Sequence, residues 1–201
     1  DAATGNLTVD NAASIDFETV SSFSLLVEVS DNGAGALSAQ ATMSVNINDV
    51  NELPEISDQT FSIDENSVSG TGVGTVAASD PDNGQTLSFS VVSGNTGNAF
   101  TINAASGALT VDDASAVDFE TTSSFSLLIE VTDDGAGALS GQATITVNLN
   151  DVNEMPEVSD QTFSVDENSD LGTSLGTVVA IDPDNGQSLN YAILTGNTGH
   201  V

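Results

Sequence analysis

Short runs of this chain alternate apolar with polar residues. Phe125-Ser126-Leu127-Leu128-Ile129-Glu130-Val131 puts Phe125, Leu127, Ile129 and Val131 on one face, and the run from Ala143 to Leu149 does the same with Ala143, Ile145, Val147 and Leu149. A period of two marks strands buried on one side only. The same pattern predicts strands over Thr60 to Ile63, Val73 to Ala77, Thr86 to Val92, Phe100 to Ile102 and Ala108 to Val111. Turn-formers such as Asp82-Asn83-Gly84 and Ala105-Ser106-Gly107 separate them. No stretch carries helical spacing with caps at both ends. About seven short strands in a domain-sized unit predict a two-sheet sandwich.

The pattern also repeats, at one fixed offset. Asp16-Phe17-Glu18 returns as Asp118-Phe119-Glu120, and Asp49-Val50-Asn51-Glu52 as Asp151-Val152-Asn153-Glu154, each 102 residues on. Asp64-Glu65-Asn66-Ser67 returns at 166–169, and Asp80-Pro81-Asp82-Asn83-Gly84 at 182–186. Phe23 answers Phe125, Phe61 answers Phe163, and Phe89 is answered by Tyr191, as core positions would be. A unit of this length is large enough for its own core and far longer than a solenoid repeat. The expected organisation is therefore residues 1–52 as the C-terminal half of one repeat, 53–154 as a complete repeat and 155–201 as the N-terminal half of the next. Half a sandwich exposes strand edges and core residues. Neighbouring repeats or copies of the same chain are expected to complete the halves.

Charge changes the picture more than composition does. Among 201 residues there are 30 Asp and Glu and no Lys or Arg, a formal net charge of −30. Nucleic-acid binding is excluded, because phosphate contacts need basic side chains, and no apolar run predicts membrane insertion of this segment. The recurring acids gather at expected strand ends, turns and the inter-repeat segment. Two carboxylates about 6 Å apart at an effective dielectric near 20 repel by roughly 3 kcal/mol, and a bound cation removes that cost. With no Cys and one His, the donors present are oxygens, which suit calcium and not zinc or copper. His200 falls in an expected exposed loop.

Taken in order, Asp-Glu-Asn-Ser, Asp-Phe-Glu, Asp-Pro-Asp and Asp-Val-Asn-Glu-Leu-Pro resemble the X-Glu-Asn, Asp-X-Glu, Asp-X-Asp and Asp-X-Asn-Asp-Asn-X-Pro signatures of the cadherin family. The wording is closest to the cadherin-like repeats of large bacterial surface adhesins. The resemblance implies an all-β chain of tandem seven-stranded Greek-key β-sandwich (cadherin/Ig-like) repeats of about 102 residues, with calcium between successive repeats. Carried over, the first junction would use Asp16, Glu18, Asp49, Asn51, Glu52, Asp80, Asp82 and Asp133. The second would use Glu65, Asp118, Glu120, Asp151, Asn153, Glu154, Asp182 and Asp184. Glu167 would serve the junction after these and Asp31 the one before. Sixteen of the 30 acids are thereby given a role, which favours ion binding over mere solubility. Asp58, Asp113 and Asp134 read as solvated surface. One departure matters: the linker is a residue shorter than the family pattern and lacks its second Asn, so the number of ions per junction is left open.

The functional expectation is a structural or adhesive segment of an extracellular or cell-surface fibre or adhesin, stiffened by calcium at its junctions. The alternative is a polysaccharide-binding module of a secreted protein. That leaves a cell-surface or glycan ligand as the expected class of target, although with no Trp and one Tyr there is little for a sugar to stack on. An enzyme is not expected: no Ser-His-Asp set or phosphate loop is present, and no carboxylate pair stands apart from its repeat partner.

Overall fold

The computed structural model describes residues 3–196, so His200 lies outside the described residues. Ahead of the central repeat stand β1 (Ser22–Ser30) and β2 (Ser38–Asn46). The central repeat contributes β3 (Glu55–Ile56), β4 (Gln59–Asp64), β5 (Gly72–Thr75), β6 (Ala78–Ser79), β7 (Ser88–Ser93), β8 (Phe100–Ile102), β9 (Ala108–Val111), β10 (Ser124–Thr132) and β11 (Ser140–Asn150). After it come only β12 (Glu157–Val158) and β13 (Ala180–Ile181).

The central repeat is a β-sandwich. One sheet runs β4-β11-β10-β7 and the other β5-β9-β8, with β3 and β6 paired at the margin. In the larger sheet β10 and β11 are antiparallel, Phe125 facing Val147 and Leu127 facing Ile145. β4 joins β11 in parallel, Phe61 beside Val147 and Ile63 beside Leu149. The alternation read from sequence is what this arrangement buries: Leu127, Ile129, Val131, Ile145 and Val147 are fully enclosed and meet Val76, Leu109, Val111 and Val117. Phe100 closes on Phe125 edge to face, with centroids 5.0 Å apart. Each such side chain contributes about 1.5–3 kcal/mol by leaving water.

Two strand ends fall two residues inside the sequence reading. β5 stops at Thr75, although the N–H of Val76 still donates to Gly107 O at 2.9 Å. β7 starts at Ser88, and Thr86 is held instead by Asp134, which accepts from its N–H at 2.8 Å and its hydroxyl at 2.6 Å. Near the start of β11 the backbone of the linker passes close by. A Cβ on Gly141 would lie 2.6 Å from Pro54 O, so this position accepts no side chain.

The flanking copies repeat the local structure without its burial. β1 and β2 pair as β10 and β11 do, Phe23 facing Val45 and Leu25 facing Met43. Their inner face is open, with Leu25 38%, Met43 41% and Val45 36% exposed. In residues 155–196, β12 and β13 form a two-residue ladder, and the stretch 161–166 that corresponds to β4 is not a strand. β4 pairs with β11, and the counterpart of β11 would lie beyond the described residues. None of the residues buried as core among those described lies outside 63–149. No helix of the described residues is long and apolar enough to cross a membrane.

Candidate metal centre

The acidic residues converge where the linkers meet the ends of the sandwich. At the second junction, Glu65 follows β4 directly and is only 3% exposed. Its two oxygens accept from backbone N–H groups, Oε2 from Phe119 N at the end of the repeat and Oε1 from Val152 N in the linker, both at 2.7 Å. Glu65 is thereby fixed with its charge facing inward. Oxygens of Glu65, Glu120 and Glu154 lie within 4.8 Å of one another, and so do those of Glu120, Asp151 and Asp184. Glu120 belongs to both groups. Glu154 N donates to Asp184 Oδ2 at 2.9 Å, and Asn66 Nδ2 holds Glu154 Oε1 at 2.6 Å.

The first junction repeats one of these groups. Glu18, Asp49 and Asp82 supply oxygens within 4.8 Å of each other. Glu52 N donates to Asp82 Oδ2 at 2.8 Å, as Glu154 does to Asp184. The loop after β6 is pinned locally: Asp82 N donates to Asp80 Oδ1 at 2.9 Å, and Asp184 N to Asp182 Oδ1 at 3.1 Å.

No Lys or Arg is present to face these clusters. Partial burial pushes the Glu52 carboxyl above its ordinary value, with the charges of Glu18, Asp82, Asp16 and Asp49 adding to the effect. Glu120 is raised for the same first reason, with Glu65 and Glu154 adding to it. Asp16 is lowered, because the hydroxyl and N–H of Thr19 donate to it.

Buried oxygens without a partner sharpen the picture. Asp82 and Asp184 are each 5% exposed, and Oδ1 of each accepts no hydrogen bond. Asp80 Oδ2 and Glu154 Oε2 are equally unpartnered. A buried carboxylate oxygen left unsatisfied costs several kcal/mol, unless a cation or proton meets it.

Other expected ligands are placed differently. Asp118 accepts from the N–H and hydroxyl of Thr121, as Asp16 does from Thr19. Asp31 is held in its own turn by Gly33 N and Leu37 N, and Glu167 is exposed. Neither joins a three-acid group among the described residues. Asn51 and Asn153 enter the junctions through hydrogen bonds, their Oδ1 accepting from Gln85 Nε2 and Gln187 Nε2. Asn66, Gln85 and Gln187 carried no role in the sequence reading, although the Gln pair recurs at the repeat offset and could have been found there. Three acids read as plain surface are exposed but also cap backbone: Asp58 accepts from Thr144 N, Asp113 from Ser115 N, and Asp134 from Thr86 N.

Residues 59–150 match the family model of the cadherin domain. Over the whole chain, protocadherin Fat 2 of the rat is 37% identical across 212 aligned residues. Cadherin EGF LAG seven-pass G-type receptor 2 of the mouse is 35% identical over 88% of the chain. The chain spans only 5% of the former and 6% of the latter. Among solved structures, extracellular cadherin domains 3–6 of protocadherin gamma B2 superpose on 85% of this chain with a TM-score of 0.63 at 27% identity, matching 45% of that chain. Domains EC22–24 of mouse cadherin-23 superpose on 86% with the same TM-score at 26% identity, matching 57% of theirs.

Proposed function

Through residues 59–150 this chain belongs to the cadherin domain family, and on that premise we propose that it is a rod segment of an adhesive cell-surface protein whose inter-repeat junctions are stiffened by calcium. The segment is extracellular, like the ectodomain repeats it resembles. The observation that carries the calcium reading is the set of buried, unpartnered carboxylate oxygens on Asp80, Asp82, Glu154 and Asp184, all residues of the two junctions. With no Lys or Arg in the chain, no such side chain can answer them, and a cation fits the cluster of negative charge. Calcium fits the donors: it takes six to eight oxygens from carboxylates, carbonyls and water in flexible geometry, and extracellular sites hold it with a Kd of about 10⁻⁴ to 10⁻³ M.

The residues act as follows. Glu65, Asp118 and Glu120 present the end of one repeat. Asp151 and Glu154 belong to the linker, and Asp182 and Asp184 to the following repeat. These acids would share a calcium ion held among them, whose positive charge would offset their mutual repulsion. The chain's own hydrogen bonds pre-aim the acids: Glu65 through Phe119 and Val152, Asp184 through Glu154 N. Removing the ion restores repulsion across the junction, which loosens it. The finer setting, a repeat of a large surface adhesin of the bacterial kind, rests on the Asp-Val-Asn-Glu-Leu-Pro wording of the linker and the absence of Lys and Arg. We place residues 1–52, 53–154 and 155–201 as successive pieces of such a rod, its open halves finished by neighbouring repeats or by copies of the same chain.

Small-angle scattering and thermal melting, with calcium and then with a chelator in excess, test the reading. A rod whose maximum dimension and melting temperature are both indifferent to chelation is not a calcium-stiffened one.

A further inference from the structure

Three Asn-Gly pairs occur in the sequence, Asn32-Gly33, Asn83-Gly84 and Asn185-Gly186, and all three lie between strands. In such a pair the glycine nitrogen can reach the asparagine side chain, because no Cβ on the glycine obstructs the approach. The structure gives the three pairs different surroundings.

At the first pair the nitrogen is already engaged. Gly33 N donates to Asp31 Oδ1 at 3.0 Å, and the same oxygen accepts from Leu37 N at 3.1 Å. The N–H is thus held on a carboxylate, away from Asn32. The central repeat has Asp134-Gly135 at this place and closes the turn in the same way, with Asp133 Oδ1 accepting from Gly135 N at 3.0 Å and Leu139 N at 3.1 Å.

The other two pairs follow Asp82 and Asp184, whose Oδ2 atoms are turned to the linker N–H groups of Glu52 and Glu154. Among the described residues, Gly84 N and Gly186 N donate no hydrogen bond, and the side chains of Asn83 and Asn185 are exposed and make none. A Cβ on Gly84 or Gly186 would meet nothing within 4 Å, so the space beside each pair is open.

We propose that Asn83 and Asn185 are sites of spontaneous deamidation by water, and that Asp31 shields Asn32 from the same reaction. Gly84 N, on losing its proton to solvent, bonds to Asn83 Cγ; the bond from Cγ to the side-chain nitrogen breaks, and that nitrogen leaves as ammonia. Water then opens the five-membered imide. Opening at Cγ leaves aspartate, and opening at the main-chain carbonyl leaves isoaspartate, with the chain running through Cγ. One water is consumed and one ammonia released, with no oxidation or reduction. Either product sets a new carboxylate beside Asp82, and isoaspartate also lengthens the backbone between Asp82 and Gln85 by one carbon. Asn185 stands in the same way beside Asp184. The two junctions therefore carry a slow chemical change within their own acid clusters, and the hairpin turn at Asn32 does not.

The full 201-residue chain, kept at neutral pH and physiological temperature in chelator, tests this independently of the calcium reading. Peptides cut after glutamate are followed by mass spectrometry for aspartate and isoaspartate. Asn83 and Asn185 are expected to convert at least about tenfold faster than Asn32, the factor that a hydrogen bond to a charged group imposes on freeing Gly33 N. In urea the three should convert at similar rates. Asp31→Ala should bring Asn32 to the rate of Asn83, whereas Asp31→Asn, which keeps an acceptor oxygen, should raise it less. Asn32 converting as fast as Asn83 in the folded chain overturns the proposal, as does an Asn83 that reacts only in urea. No rise at Asn32 in Asp31→Ala overturns the shielding.

Discussion

The hairpins β1–β2 and β10–β11 share most of their sequence and pair in matching registers, yet they live in different environments. Leu127 is fully buried and its counterpart Leu25 is 38% exposed; Val131 is fully buried and Val29 is 69% exposed. Local structure is thus written into the hairpin itself, through alternation and cross-strand pairing. Burial is not. It is supplied by β4, β7 and the opposing sheet, which the central hairpin has and the first lacks among the described residues. The same contrast divides Ile63, 7% exposed, from Val165, 48% exposed.

The largest expected effect breaks this contrast at its root. Leu127→Ala should destabilise the central repeat by about 2–5 kcal/mol, as an enclosed leucine does when truncated, whereas Leu25→Ala should cost about 0.5 kcal/mol. Urea unfolding followed by circular dichroism measures both. Equal losses would show that the first hairpin is covered in solution. Next in size is calcium removal, which should lower the melting temperature of the two junction ends more than the protection of core amides such as those of Ile129 and Ile145, read by hydrogen exchange. Core protection lost in step with the junctions would erase the distinction between scaffold and site.

Single ligands come third. Glu120 stands in two groups and Glu18 in one, so Glu120→Gln should weaken calcium binding by at least about tenfold and more than Glu18→Gln does, by calorimetric titration. Acidity gives a smaller effect of opposite sign to ordinary acid unfolding. Glu52 and Glu120 are raised in the folded chain, so the penalty of ionising them is complete above their folded values and gone below the ordinary glutamate value. In chelator, melting temperature should therefore rise as pH falls from neutral towards about 4.5, and Glu120→Gln should flatten that rise. Smallest is Asp113→Ala, which removes the acceptor of Ser115 N and hydroxyl. Those bonds hold the Asp113 carboxyl below its usual value, so the stabilisation is present at neutral pH and fades as the carboxyl is protonated. A shift in melting temperature that persists at low pH would assign the loss to something other than the carboxylate.

Most of the central sandwich could be read from alternation, because the inner face of a strand repeats every second residue whatever it packs against. β7 starts only at Ser88 because Asp134 holds Thr86, a single contact that no period encodes. At the junctions, the fixed offset identified acids that gather, such as Glu18, Asp49 and Asp82. It could not tell a carboxylate with a free oxygen, such as Asp82, from one already satisfied by neighbouring N–H groups, such as Asp133. That difference is set by loop geometry. Gln85 and Gln187 were missed because a neutral amide carries no charge to mark it, although recurrence did.

Near-identical repeats pose a sorting problem while the chain folds. Hairpins close over a few residues and form early, but β4 must find β11 in parallel some 86 residues away, counted from Gln59 to Ile145. During synthesis β2 is already present when β4 emerges, and Ser38–Asn46 differs from Ser140–Asn148 at only three positions: Ala39 for Gly141, Met43 for Ile145 and Ser44 for Thr146. The first of these discriminates. Seated where Gly141 belongs, Ala39 would bring its methyl group to 2.6 Å from the Pro54 carbonyl oxygen, a contact no native Cβ tolerates. Ala39 is thus a poorer fit than Gly141 beside this linker.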